Sequence, residues 1–445
     1  MKGKEKGQGL KGCMWMKNFS KDYLKNITKL QKQGTPKGIY SICSANQLVL
    51  QACMRSVREN GDPLLIEATC NQVNQYGGYM GMTPLQFREY VYRLADGVGL
   101  PEEDIILGGD HLGPNVWQDE PSASAMAKAS QLVTDYVTNG FTKIHLDASM
   151  PCRDDPANQP LDKKVSAERA ALLCEVAEKA KVVINQPVYY VIGTEVPTPG
   201  GEVVKQDKLN MTKVGDAKET ISEIRHAFIC HHLEDAWERV TAVVVQPGVE
   251  FGDSSIFLYD RKNAQELSKF IESYEHFIYE AHSTDYQPRQ NLKELVEDHF
   301  AVLKVGPALT FAMREALFAL SFVEEELILE PEERSNLREK LETEMLANPE
   351  HWKKHYHGSA FEQQLARKYS LSDRSRYYWS KPVLQEAIST LFKNLEKQPP
   401  PLSLIDQFLP NQSQKIKMGE LPNSPRLLVD DKIHEVVNDY LYACG

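Results

Sequence analysis

Residues 104–115 read Asp-Ile-Ile-Leu-Gly-Gly-Asp-His-Leu-Gly-Pro-Asn. The run 105–107 is apolar on both faces, as a strand must be when it lies in a parallel sheet with helices over it. It stops on Gly108 and Gly109, which leave room for a bound group to approach the backbone. Asp110 and His111 then stand side by side where the strand hands over to a loop. In a barrel of parallel strands that carboxyl edge is where chemistry is found. A carboxylate can take a proton and an imidazole can hold a metal. By itself the pair also reads as an Asp capping the next turn beside a loop His, so the rest of the chain has to decide.

Seven further β-rich runs flank this one, at 38–43, 64–70, 143–148, 188–194, 242–247, 277–281 and 300–305, with the present strand at 105–109. Helix-period segments alternate with them, at 47–58, 84–97, 123–139, 166–179, 217–231 and 264–272. Strict alternation implies parallel strands, and eight repeats imply closure into an α/β fold of the (β/α)8 TIM barrel type. An open doubly wound sheet is the alternative, but no Gly-x-Gly-x-x-Gly marks a dinucleotide crevice. The expected organisation is an N-terminal tail over 1–20, a barrel over 21–330 and a helical C-terminal region over 331–445. That appendage is charged and helical at 332–347 and 360–367, broken at Gln398-Pro399-Pro400-Pro401, and helical again at 404–408 and 432–442. It reads either as a lid packed on the barrel or as a surface for a partner subunit.

Composition sets the outer limits. The chain has 445 residues, 42% hydrophobic and 25% charged, which is ordinary for a globular protein with a sizeable core. A balance of 51 Lys+Arg against 62 Asp+Glu gives a net charge of −11, which disfavours binding to nucleic acid or to an anionic membrane. Eight scattered cysteines without a Cys-x-x-Cys exclude a zinc knuckle and a redox motif and fit reduced thiols. Residues 1–19 are basic and Gly-rich with no apolar segment, and no run reaches the ~18–20 apolar residues of a membrane span. A cytoplasmic location is expected, with translation starting at Met1, Met14 or Met16.

Side chains alternate along a strand, so parity shows which polar groups share a face. Lys143, His145 and Asp147 share one, and Glu280 and His282 share another. Glu67, Asp110 or His111, Glu195, Gln246, Glu250 and Lys304 add ionisable or polar groups near other strand ends. Burying such a set unpaired is prohibitive, so a divalent metal, a salt-bridge network or a polar substrate must compensate. His111, His282 and Glu195 are the candidate ligands for Zn²⁺ or a similar ion. Against this, His145 and His282 also read as satisfied core histidines, and Glu280 as a partner of Lys304. The turn 193–201, stiffened by Pro197 and Pro199, suits a shaped loop over a pocket. After the eighth strand, Lys304, Gly306 and Thr310 lead into a helix whose N-terminus can hold a phosphate, with Ser283 and Thr284 alongside. A phosphosugar ligand is therefore expected.

Long motifs carry a family resemblance. They are Glu67-Ala-Thr-Cys-Asn-Gln-Val-Asn-Gln-Tyr-Gly-Gly-Tyr79, Gly108-Gly-Asp-His-Leu-Gly-Pro114, Lys143-Ile-His-Leu-Asp-Ala-Ser149, Tyr190-Val-Ile-Gly-Thr-Glu-Val-Pro197, Val245-Gln-Pro-Gly-Val-Glu-Phe251, Tyr279-Glu-Ala-His-Ser-Thr-Asp-Tyr-Gln287 and Lys304-Val-Gly-Pro-Ala-Leu-Thr310, with Tyr369-Ser-Leu-Ser-Asp-Arg374 and Arg376-Tyr-Tyr-Trp379 in the appendage. Together they closely resemble the GatZ/KbaZ family, the Z subunits of D-tagatose-1,6-bisphosphate aldolase, from about Leu24 to the C-terminus. The resemblance implies a chain that supports the activity and stability of a catalytic Y-type class II aldolase subunit in galactitol or N-acetylgalactosamine breakdown. For some relatives it implies instead a metal-dependent 4-epimerase acting between fructose and tagatose or their 6-phosphates. The Gly-x-x-x-x-Gly-Lys-Ser/Thr phosphate loop of nucleotide-dependent enzymes is absent.

The barrel itself resembles a diverged class II aldolase. The resemblance implies Asp110 as general acid/base, His111 and His282 as metal ligands, and Asp147-Ala148-Ser149 as the counterpart of an Asp-Gly-Ser turn. It also places Asn46 where a substrate-contacting Asn stands. The aldolase pattern Gly-Thr-Ala-His becomes Gly193-Thr194-Glu195-Val196 here, so the third metal histidine is missing. The resemblance offers Glu195 as its replacement, one position earlier and on the opposite strand face.

Overall fold

The computed structural model describes residues 22–156, 159–193 and 209–445. Eight parallel strands close into a barrel: β1 Ile39–Ile42, β2 Leu64–Thr69, β3 Ile105–Leu112, β4 Lys143–Leu146, β5 Tyr189–Ile192, β6 Val240–Val244, β7 Ile278–Ala281 and β8 Phe300–Val305. Each pairs with the next, and β8 pairs with β1 with Ile39 beside Val302. The expected (β/α)8 architecture is present. A two-stranded antiparallel ribbon, Glu250–Phe251 with Ile256–Phe257, sits in the loop after β6 and has no counterpart in the strand pattern read from sequence.

Two apolar clusters divide the core, as strand alternation requires. The larger fills the space between strands and helices. The smaller lies inside the barrel, where Leu65, Ile106, Val191, Val244, Ile278 and Val302 meet Tyr23, Leu24 and Ile27. Those last three belong to the helix Tyr23–Lys32, whose apolar face plugs the amino end of the barrel. Two residues further along the same inward faces stand Glu67, Gly108, Glu280 and Lys304, joined by Lys143. The interior is therefore layered, dry and apolar at the amino end, charged in the middle and open to chemistry at the carboxyl end.

Helices follow the strands with local signals in place. Asn46 caps Gln47–Asn60 by accepting from the backbone N–H of Leu48 and Val49, and Thr83 forms a capping box with Gln86 at the start of Pro84–Val98. After Pro307–Leu327 the chain continues in helices only, and these wrap the barrel. The last, Pro425–Cys444, packs on Gln47–Asn60, Arg289–Glu297 and Pro307–Leu327, and the Cys444 carbonyl accepts from the N–H of Gly38. The segment between Ala347 and Pro382 reaches over the barrel mouth instead, where Glu350, His351, Arg374 and Arg376 face the barrel ligand groups. Among the described residues, no helix is long and apolar enough to cross a membrane.

Candidate functional site

The middle layer is a closed charge network. The Lys143 ammonium lies 2.7 and 2.8 Å from the two oxygens of Glu67 and 2.6 Å from Glu280. Lys304 lies 2.9 Å from Glu67, 2.9 Å from Asp110 and 3.9 Å from Glu280, so Glu280 pairs chiefly with Lys143, and its alternative pairing with Lys304 is the longer contact. Ser41 donates to Glu67 at 2.6 Å. All six residues are buried. With Asp147 added, four carboxylates face two ammonium groups, a deficit of two positive charges in a dry interior. Such a deficit must be met by protons on the neighbouring imidazoles or by a divalent cation.

Three imidazoles stand above this network, with ring centroids 5.0, 5.0 and 5.5 Å apart. Each has one nitrogen on a carboxylate: His111 Nδ1 is 2.8 Å from Asp147, His145 Nδ1 is 3.0 Å from Asp110, and His282 Nε2 is 3.0 Å from Glu280. A carboxylate that accepts from one ring nitrogen fixes the tautomer and turns the lone pair of the other outward, which is how metal-bound histidines are held. His145 Nε2 is buried with no hydrogen-bond partner among the described residues, an orphan that a cation satisfies. Asp110, His111, His145 and His282 offer four ligand atoms within 4.8 Å of one another. The residues fit a divalent metal by charge, by donor type and by geometry.

Protonation follows from the same contacts. Burial holds the His282 imidazole down to about 4, so it is neutral and ready to ligate. Burial would raise the Asp110 carboxyl, but His111, Lys304 and His145 overcome it and keep the group well below the usual carboxylate range. Burial would likewise lower His111, and Asp110 and Asp147 reverse that, so its imidazole is held above its ordinary value.

Strand alternation alone would send Asp110 and His111 to opposite faces. The β3–β4 register shifts between Gly109 and Leu112, and His111 adopts a left-handed φ of 51°. This irregularity re-aims the strand end and puts both side chains toward the ligand cluster. The glycines before it do different work from the one expected. A Cβ on Gly108 would sit 2.6 Å from Glu67 Cγ, and one on Gly109 would sit 2.5 Å from Leu112. They admit the protein's own side chains rather than a bound group.

A cavity of about 430 Å³ opens over the cluster, lined by Asp110, His111, His282 and Lys304 from the barrel and by Arg374 and Arg376 from the appendage. Ser283 lines it too, in a left-handed conformation at φ 55°. Gly306 lines it as well, whereas Thr284, Thr310, Asn46 and Ser149 do not. Thr284 is buried and donates to the Lys304 carbonyl, and Thr310 donates to Asp373. The N–H groups of Gly306 and Ala308, expected to face a phosphate, donate at 3.0 and 2.8 Å to the carboxylate of Asp285. Asn46 uses its side-chain oxygen as a helix cap and lines a second cavity, and Ser149 donates to Asp147. Gln246 and Glu250 are buried, and Gln246 caps the N–H groups of Gly248 and Val249 rather than facing the cluster. Glu195 and most of the turn 193–201 lie outside the described residues.

The structure adds groups at the cavity that motif alone does not assign to it. His145 stands among the ligand-capable groups, and its parity with Lys143 and Asp147 on the inward face is the signal that finds it. Asp285 follows directly on Ser283-Thr284, within reach of the same argument. Arg374 and Arg376 stand in motifs of the appendage, but nothing local assigns them to the cavity, because only the tertiary fold brings the appendage over the mouth.

The chain resembles known proteins over nearly all its length. A crystal structure described as a probable tagatose 6 phosphate kinase from Sinorhizobium meliloti 1021 is 44% identical, with a TM-score of 0.84, covering 92% of this chain and 100% of that one. A fructose-bisphosphate aldolase from Campylobacter jejuni aligns at 13% identity over 84% of this chain and 93% of that one, with a TM-score of 0.45. The YdjI aldolase from Escherichia coli K12 aligns at 11% identity over 84% and 97%, with a TM-score of 0.40. The model of the D-tagatose-1,6-bisphosphate aldolase subunit GatZ/KbaZ-like family matches residues 24–445, barrel and helical region together, and the chain belongs to that family.

Proposed function

We propose that this chain is the component of D-tagatose-1,6-bisphosphate aldolase that docks onto a catalytic Y-type class II aldolase subunit. There it sustains that subunit's activity and stability in cytoplasmic tagatose 6-phosphate breakdown from galactitol or N-acetylgalactosamine. The observation that carries the reading is the extent of the family match, which includes the helices closing the cavity as well as the barrel. Within the barrel, His111, His145 and His282 hold a divalent ion such as Zn²⁺, with Asp147, Asp110 and Glu280 orienting them. Such an ion, when bound, supplies Lewis-acid polarisation of a ketose carbonyl. Lys304 and Ser283 face the ketose phosphate, and Asp285 orders the backbone beside it.

The state of Asp110 weighs toward binding rather than turnover. A general base works best with a pKa near the operating pH. Asp110 is ion-paired with Lys304, hydrogen-bonded to His145 and held far below that range. A stand-alone C4 epimerisation would ask this carboxylate to carry the proton of the C4 hydroxyl, and the geometry does not favour it. The test is to purify the chain, determine its metal content, and assay aldolase and 4-epimerase activity with and without a Y-type subunit. Aldolase activity and lifetime of the Y-type subunit should rise on mixing, with no turnover by this chain alone. Epimerase turnover that Asp110→Asn abolishes would overturn the subunit-only reading, and absence of any effect on mixing would overturn the partnership.

A further inference from the structure

A phosphate in a (β/α)8 barrel is commonly held by backbone N–H groups where a helix opens after the last strands. In this chain that position is filled by the protein itself. Asp285 Oδ1 accepts from the N–H of Gly306 and of Ala308, and its side chain is buried. A phosphate brought to the same donors would meet a carboxylate at contact distance, a like-charge encounter in a site of low dielectric. The cationic counterpart must lie elsewhere on the cavity wall.

Among the described residues, Lys304, Arg374 and Arg376 are the Lys and Arg side chains lining the main cavity. Lys304 is neutralised by Glu67 and Asp110. Arg376 is different. Its guanidinium donates from Nη1 to the carbonyls of Ser372 and Asp373 and from Nη2 to the Tyr377 hydroxyl. No carboxylate of the described residues forms an ion pair with it, and two of its five N–H groups are left for a ligand. Arg374 stands beside it, and together with burial the two guanidiniums push the neighbouring His355 imidazole down to about 4. Glu350 and Asp285 are the acidic groups on the same wall.

The turn that carries Arg376 is anchored to the helix whose N-terminus Asp285 has taken. Asp373 accepts from Thr310 at 2.6 Å and from Arg314 at 2.9 Å, both on Pro307–Leu327, and from Ser375 at 2.8 Å. The barrel thus fixes the guanidinium in place before any ligand arrives, which lowers the ordering cost of binding.

We propose that Arg376, with Arg374 beside it, is the anion subsite of this cavity and receives the phosphate monoester of a ketose phosphate whose sugar end faces His111 and His282. The proposal rests on the ketose phosphate reading of the cavity given above. A planar guanidinium suits a phosphate through paired N–H donors, and a lysine ammonium does not reproduce that fork.

Calorimetric titration of the full-length, Zn²⁺-loaded chain with D-fructose 6-phosphate, D-fructose and inorganic phosphate tests it, on wild type, Arg376→Gln and Arg376→Lys. Melting temperature and metal content check that each variant is folded. Arg376→Gln should weaken D-fructose 6-phosphate at least tenfold, with Arg376→Lys in between, and should leave D-fructose unchanged. Inorganic phosphate should compete with the sugar phosphate in wild type and not in Arg376→Gln. Equal affinity of wild type and Arg376→Gln for D-fructose 6-phosphate overturns the subsite while leaving the ketose phosphate reading standing. A parallel loss for D-fructose makes the residue structural and also overturns it. Wild type that binds Zn²⁺ but no sugar phosphate overturns both readings together.

Discussion

Lys143→Met is the sharpest perturbation of the interior. The Lys143 ammonium has no solvent exposure and touches Glu67 at 2.7 and 2.8 Å and Glu280 at 2.6 Å. Methionine matches its length and removes its charge, so the packing survives and the electrostatics do not. Glu67 keeps Lys304 at 2.9 Å, but Glu280 keeps only a 3.9 Å contact with Lys304 and its hydrogen bond to His282. Removing one partner of a buried pair costs about 3–5 kcal/mol, because the other charge stays behind in a dry site. With a urea slope of about 3 kcal/mol/M, the unfolding midpoint should fall by about 1–1.7 M.

The pH dependence should invert as well. In wild type, Lys143 and Lys304 overcome burial and hold Glu280 below its ordinary value, so its contribution is present above pH ~4.3 and lost as pH falls through the folded value. In Lys143→Met burial wins, the folded value rises above the unfolded one, and the variant loses stability as pH increases. Adding Glu280→Gln should recover part of the loss, since the stranded charge is gone. A single-variant loss below about 1 kcal/mol, or a double variant worse than the sum of its parts, would refute the account of a dry, mutually neutralising network.

Three other outcomes follow from the site. Chelating the metal should lower the melting temperature more at pH 8 than at pH 6, because His111, held above its ordinary value, supplies positive charge by protonation at the lower pH; the stabilisation should reach about 3 kcal/mol at a hundredfold excess over Kd, and a pH-independent difference would argue against the charge deficit. Asp147→Asn should weaken Zn²⁺ about 10–100-fold in competition with a chelating dye, since Asp147 orients His111 at 2.8 Å; unchanged affinity would remove His111 from the ligand set. Burial raises Asp285 to about 6, against about 3.9 unfolded, so its stabilising share is full below pH ~4 and is lost as pH rises through about 6, a change of about 3 kcal/mol. Asp285→Asn should flatten that part of the urea-midpoint profile between pH 4 and 7, and an unaltered profile would refute the assignment.

The barrel was legible in the sequence because its signals are local. A strand covered on both sides must be apolar throughout, helices between strands must repeat at their own period, and alternation sorts inward from outward side chains residue by residue. Those rules placed all eight strands and put Glu67, Lys143, His145, Glu280, His282 and Lys304 on inward faces. The same rules could not put Asp110 and His111 on one face, because the register shift at Gly109–Leu112 is a property of the β3–β4 pair rather than of β3.

Partnership across the barrel belongs to the tertiary structure. Which ammonium meets which carboxylate depends on closure, and closure puts Lys143 on Glu280 and Lys304 on Asp110. It also makes His145 a third imidazole of the cluster beside His111 and His282, while Glu195, the other candidate ligand, lies outside the described residues. The helix end after β8 promised a phosphate site until the fold delivered Asp285 to it. Arg376 lies far along the chain in a segment without strands, and it reaches the cavity because Thr310 and Arg314 hold Asp373. Sequence determined the strands, their faces and the kinds of groups at their ends, since each follows from a few neighbouring residues. Three-dimensional packing alone decided the pairings, because a buried charge is settled by whatever opposite charge or donor the whole fold brings within about 3–4 Å of it.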